Sequence, residues 1–95
     1  MLYFVRHTHP AESCPAKDPF MGSQLLAHLS PSNAAKYGVR IHGEAVLNGQ
    51  HTLVLIVEAD DLENLKRFMA PFHQAGQVEY IEASHCEEVV ERAGC

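Results

Sequence analysis

The feature that most constrains the fold is an Asn48-Gly49 pair between two runs of β-branched and apolar residues. Asn-Gly is favoured in two-residue hairpin turns because both turn positions adopt positive φ. We therefore predict antiparallel strands over Val39 to Leu47 and over His51 to Ala59, with Leu47 paired to Gln50 across the turn.

The remaining segments complete a βαββαβ order. Asp60 and Glu63 form a capping box at the start of a helix, which Pro71 is expected to kink or end. Hydrophobic spacing and the positions of Pro and Gly predict the other elements: a strand over Leu2 to His9, an ordered loop over Ala11 to Pro19, helices over about 22–29 and 31–37, a strand over Gln77 to Ser84 and a terminal helix over Glu87 to Ala93. We expect one α+β domain over residues 1–95, ferredoxin-like, with a four-stranded antiparallel sheet.

The hairpin pairing also assigns the two faces of the sheet. The face expected beneath the helices carries Val39, Ile41, Ala45, Leu47, Thr52, Val54 and Ile56. The other carries Arg40, His42, Glu44, Val46, His51, Leu53, Leu55 and Val57. Right-handed crossovers place both main helices on one side, so this second, half-apolar face needs a cover. A second copy of the chain would supply it.

This pattern resembles the dimeric α/β-barrel superfamily, in which two ferredoxin-like sheets close into a shared barrel. The resemblance spans the chain and rests on element order and lengths, on the Asn48-Gly49 hairpin and on Pro71-Phe72 before Gly76. The superfamily includes muconolactone isomerase-like enzymes, cofactor-independent monooxygenases and small stress-responsive proteins. The resemblance implies a homodimer with a pocket, without indicating a reaction.

Composition excludes several classes of partner. Seven Lys and Arg against twelve Asp and Glu give a net charge of -5, which argues against nucleic-acid binding. The longest apolar run, Leu53 to Val57, is too short for a membrane span. Three sparse cysteines are typical of a reducing compartment, so we expect a cytoplasmic protein.

The seven histidines point to a candidate metal site. His7 and His9 share one face of the first strand, and the antiparallel third strand brings His51 to the same end of the sheet. Cys14 follows on a loop that could fold back. These four side chains suit Zn²⁺ or copper. Alternatively, the two strand histidines are ordinary polar residues at a strand end, and Cys14 is a plain loop residue or a redox-sensitive thiol.

A second set of candidates is Arg40, His42 and Glu44, which the hairpin pairing places in one row. Arg can hold a carboxylate while His or Glu moves a proton. Alternatively, these charges mark a solvated edge strand.

The first hypothesis is a homodimeric zinc or copper protein using His7, His9, Cys14 and His51. Its rival is a metal-free isomerase, lyase or monooxygenase-like enzyme, or a small-molecule-binding protein, that uses the Arg40 row in the barrel pocket with His7 as proton carrier. A third possibility is an interaction protein with neither site.

Overall fold

The computed structural model describes all 95 residues and contains four strands and five helices. The strands are β1 (Leu2–Thr8), β2 (Val39–Leu47), β3 (Thr52–Ala59) and β4 (Gln77–Ala83). The helices are α1 (Pro19–His28), α2 (Pro31–Lys36), α3 (Leu62–Phe68), α4 (Ala70–Ala75) and α5 (Cys86–Glu91), and short 3₁₀ turns lie at Ala11–Ser13 and Pro15–Lys17. The predicted α+β class is confirmed.

The strands form one antiparallel sheet in the order β2-β3-β1-β4. β1 hydrogen-bonds on both edges, with β3 on one side and β4 on the other. This arrangement is consistent with a small ferredoxin-like fold. None of the helices has the length and apolar character needed to cross a membrane.

Two helix starts differ from the sequence prediction. α1 begins at Pro19 because the Asp18 carboxylate accepts a hydrogen bond from the Phe20 amide at 2.9 Å. The predicted cap of α3 at Asp60 is wrong: Asp61 accepts from the Asn64 amide at 2.7 Å instead. Asp60 lies beside the chain reversal after α2, where its amide donates to the Gly38 carbonyl.

Pro71 ends the predicted helix after Asp60, so that two short helices, α3 and α4, form in its place. α3 ends at Phe68 and α4 begins at Ala70, with Pro71 in the first turn of α4. A proline is accepted there because the first-turn amides have no partner within the helix. The break lets Phe72 turn inwards, where it is buried.

The predicted two-residue hairpin is wrong. Leu47 pairs with Thr52, so four residues, 48–51, connect β2 and β3. A two-residue Asn-Gly turn needs positive φ at both positions. Here Gly49 has φ 74° but Asn48 stays outside the positive region, and His51 takes φ 48° instead. The longer turn keeps His51 out of the strand and at the tip of the sheet.

The predicted assignment of the two faces is also wrong. The helices cover the face that carries Leu53, Leu55 and Val57, all buried, while Ile56 on the opposite face is 46% exposed. Both faces of the hairpin are half apolar, so alternation alone cannot say which one packs on the helices. A bulge between Ile41 and Gly43 additionally switches β2 from one face to the other.

The core lies between the sheet and the α3-α4 segment. Its largest fully buried side chains are Val5, Leu55, Val57, Leu65, Phe68 and Met69. The opposite, open face of the sheet carries a row in which Phe4 lies between Ile56 and Ile81. Ile81 is 45% exposed, so this row remains uncovered within one chain.

Gly76 joins α4 to β4 at a point of close backbone contact. A Cβ at this position would overlap the Thr8 carbonyl oxygen and lie 3.0 Å from the His9 Cα. We expect Gly76→Ala to lower the free energy of unfolding by about 1–3 kcal/mol, because backbone must move to make room. Urea unfolding followed by circular dichroism measures the change. Gly43→Ala, where a Cβ meets nothing within 4 Å, is the matched control and should cost less than about 0.5 kcal/mol. Equal losses in both variants would contradict this account.

Candidate metal centre

Three donor side chains meet at one end of the sheet, on its helix-covered side. The His9 amide donates to the His51 carbonyl oxygen at 3.1 Å, which places the end of β1 beside the β2-β3 turn. The two 3₁₀ turns after Pro10 fold the loop back and bring Cys14 to the same place. One ligand atom from each of His9, Cys14 and His51 lies within 4.8 Å of the other two.

His7 lies behind this group and orients it. Its Nδ1 is 3.2 Å from the Gln77 carbonyl oxygen, and its Nε2 is 3.3 Å from the His9 Nδ1. A carbonyl can only accept, so a neutral His7 carries its proton on Nδ1 and accepts at Nε2. His9 must then donate from Nδ1, which leaves the lone pair on its Nε2. This assignment of protons follows from the hydrogen-bond network.

Desolvation favours the neutral form of both imidazoles by lowering the pKa of each. Desolvation lowers the pKa of His7, which is only 3% exposed, and the neighbouring His9 lowers it further. Desolvation likewise lowers the pKa of His9, with a contribution from His51. A neutral imidazole is the form that binds metals.

The Nε2 atom of His9 is buried and has no hydrogen-bond partner. A buried acceptor without a partner costs free energy relative to its hydrated state. A metal ion bound by this nitrogen, the Cys14 thiolate and His51 would satisfy it.

The group would need only a small contraction to hold an ion. Zn²⁺ bonds of about 2.0–2.3 Å at tetrahedral angles place ligand atoms roughly 3.3–3.8 Å apart. The donors here lie within 4.8 Å of one another, so a shortening of about 1–1.5 Å would bring them to those distances.

A cavity of about 720 Å³ opens beside the group. It lies between the helix-covered face of the sheet, α1, α4 and the β2-β3 turn. His7, His9, Cys14 and His51 line its polar end. Much of the remaining wall is apolar, formed by Pro15, Ala16, Met21, Leu25, Val46, Leu47, Leu53, Pro71, Phe72 and Ala75.

The structure does not bring Arg40, His42 and Glu44 together. Glu44 pairs with Leu55, whose face the helices cover, whereas Arg40 pairs with Glu58 beyond the bulge. The predicted common row is therefore wrong. His42 instead contacts the Glu58 carboxylate at 2.9 Å, and His85 reaches the same oxygen at 3.3 Å. Hydrogen bonds from His42 and then His85 lower the pKa of Glu58.

Two contributors to the site were missed from the sequence. Gln77 acts through its backbone carbonyl, which has no signature in residue type. His28 was not among the candidate residues, yet it stacks on Phe68 with ring centres 4.6 Å apart and donates to the Phe68 carbonyl at 2.6 Å. Its spacing of seven residues from Met21, two helical turns along one face, was the available signal.

The hydrogen-bond network makes a spectroscopic prediction. At a pH above 7, long-range ¹H–¹⁵N correlation spectra should show both His7 and His9 with the proton on Nδ1, because Gln77 and His7 accept in turn. His7→Phe removes the acceptor at Nδ1 of His9, so the His9 tautomer should shift or become mixed in that variant. A wild-type His9 protonated at Nε2 would contradict the network.

The fold and this cluster define a class: an open-sheet α+β protein with a candidate His/Cys metal centre at one end of the sheet. The chain belongs to the DUF3303 family, described as a domain of unknown function, which matches residues 1–94. No curated protein matches the chain in sequence.

Proposed function

We propose that this protein binds a zinc or copper ion through His9, Cys14 and His51. The observation that supports this most is the buried, unpartnered Nε2 of His9. His9 also forms a group with Cys14 and His51 in which one ligand atom of each residue lies within 4.8 Å of the other two. Imidazole and thiolate donors are the set that Zn²⁺ and Cu(I) prefer.

His7 is a positioning residue in this proposal, whereas the sequence interpretation made it a ligand. Both of its ring nitrogens already have partners, Gln77 and His9. A ligand histidine that is hydrogen-bonded through its other nitrogen has a fixed ring orientation and a more basic donor atom. His7 supplies that hydrogen bond to His9.

Three protein donors would leave one tetrahedral position free, and all three donor residues line the cavity. Catalytic zinc sites use three protein ligands with water or substrate in the fourth position, whereas structural sites use four. The proposed centre is therefore of the open kind. The rival based on Arg40, His42 and Glu44 has no comparable support, since the three do not share a face.

Metal analysis of untagged protein tests the proposal. We expect about one zinc or copper ion per chain by mass spectrometry, or the same stoichiometry after loading metal-free protein. His9→Ala, Cys14→Ser and His51→Ala should each abolish stoichiometric binding. His7→Gln should keep the stoichiometry but weaken affinity about 10- to 100-fold, because the ligands remain and only the orienting bond changes.

His85→Ala is the matched control, because His85 contacts Glu58 in a separate cluster. It should bind metal as the natural chain does. Protein that takes up neither Zn²⁺ nor Cu(I), or a His85→Ala variant that loses as much affinity as His9→Ala, would contradict the proposal.

We further infer that the protein is a homodimer of the dimeric α/β-barrel kind, joined through the open face of the sheet. The supporting observation is the uncovered row of Phe4, Ile56 and Ile81, since contiguous exposed apolar rows mark interfaces. In such a dimer the metal centres lie on the far side of each sheet, so each is built within one chain.

Light scattering coupled to size-exclusion chromatography tests the dimer. The natural chain should elute with twice the mass of one chain. Ile56→Lys combined with Ile81→Lys should give monomers, because each lysine would have to be desolvated in the interface. Leu26→Lys, at a 72% exposed position on α1, is the control and should leave the mass unchanged. A monomeric natural chain at high micromolar concentration would rule the dimer out.

A further inference from the structure

Helix α1 is poorly packed for an element of its length. It has ten residues and none of them is buried. Its main neighbours are the Pro15–Lys17 turn and α2, not the sheet. The side that faces the sheet borders the cavity instead and consists of Met21, Gln24, Leu25 and His28 at helical spacing. Leu25 packs against the core and His28 stacks on Phe68, whereas Met21 and Gln24 border the open cavity. Apolar contact thus stabilises only part of this face.

The cavity wall carries no Asp, Glu, Lys or Arg. A charged ligand would leave water without gaining an opposite charge from the wall, which is unfavourable. The uncharged polar side chains other than the histidines and Cys14 are Ser13, Gln24, Asn33 and Asn48, and Asn33 already donates to the His28 carbonyl at 2.8 Å. The wall therefore favours a ligand whose body is apolar and uncharged.

The His/Cys cluster forms the strongly polar end of the cavity. The cavity has a volume of about 720 Å³, within the roughly 300–1,000 Å³ of small-molecule pockets. Resting on the proposed metal centre, we propose that the cavity binds an uncharged, mainly apolar small molecule. One sulfur or oxygen atom of this molecule would take the free coordination position of the metal, and its body would pack against α1. A thiol would bind as the thiolate and release its proton to water. The ligand class is thus apolar thiols, alcohols or carbonyl compounds.

Three probes added to zinc-loaded protein separate the contribution of the metal-binding atom from that of the apolar body. 2-Phenylethanethiol has a donor and an apolar body, ethylbenzene has the body alone, and mercaptosuccinate has the donor with two charges. We expect 2-phenylethanethiol to bind at least about tenfold more tightly than either of the others, because only it satisfies both the metal and the wall. Titration calorimetry gives the affinities. Cobalt-substituted protein should show a new sulfur-to-cobalt absorption band when the thiol binds.

Wall variants test whether the apolar body enters the cavity. Met21→Glu should weaken 2-phenylethanethiol binding at least about tenfold, since it buries a charge against the ligand. Its zinc affinity should be unchanged. Leu26→Glu, on the same helix but outside the cavity wall, is the matched control and should bind like the natural chain. Val46→Glu repeats the test from the opposite wall at a position that is 58% exposed, where folding tolerates a charge.

The outcomes distinguish this inference from the metal proposal. A chain that takes up neither zinc nor copper contradicts the proposed function and the inference with it. Metal uptake is therefore measured before any probe is added. Zinc-loaded protein that binds mercaptosuccinate as tightly as 2-phenylethanethiol overturns the inference alone. The same holds if Met21→Glu and Val46→Glu have no larger effect than Leu26→Glu.

Discussion

The pairing of β1 along both of its edges determines where the candidate site lies. Because β1 is antiparallel to β3 and to β4, its last residues meet the starts of both neighbours. The His9 amide thereby donates to the His51 carbonyl on one side, and the His7 ring donates to the Gln77 carbonyl on the other. Close contact at Gly76 keeps β4 against this end of β1. The backbone ladder of the sheet is therefore also what positions the imidazoles.

Burial gives these imidazoles their chemical character. Desolvation lowers the pKa of His7 and His9, which favours their neutral forms. In that form His9 donates to His7, and His7 donates to the Gln77 carbonyl. This chain of hydrogen bonds ends at the His9 Nε2, which has no protein partner. A fold that holds such an atom beside a thiol and a third imidazole has the donor set of a transition-metal site. The proposed metal would satisfy the one buried group that the protein itself does not.

The two faces of the sheet have separate roles in this account. The helix-covered face carries the core, the His/Cys cluster and the cavity, all within one chain. The open face carries the Phe4, Ile56 and Ile81 row together with an exposed Arg6–Glu79 pair at 3.0 Å. The strand pattern predicted that the histidines lie on the open face, inside a shared barrel. They lie instead on the helix-covered face, so metal binding and dimerisation can be tested independently.

Local signals in the sequence determined much of this protein. Strand and helix spacing predicted the α+β class, Pro71 predicted the helix break, and the order of the strands predicted that His9 and His51 meet. Other features depended on tertiary structure. The Asn48-Gly49 pair adopted a longer turn, and a bulge beyond it moved Arg40 and Glu44 to opposite faces. Both faces of the hairpin are half apolar, so the alternation of residues does not distinguish them. Only packing against the helices determines which face is buried. Gln77 acts through its backbone carbonyl, which every residue has, so its hydrogen bond with His7 could be recognised only in the folded chain.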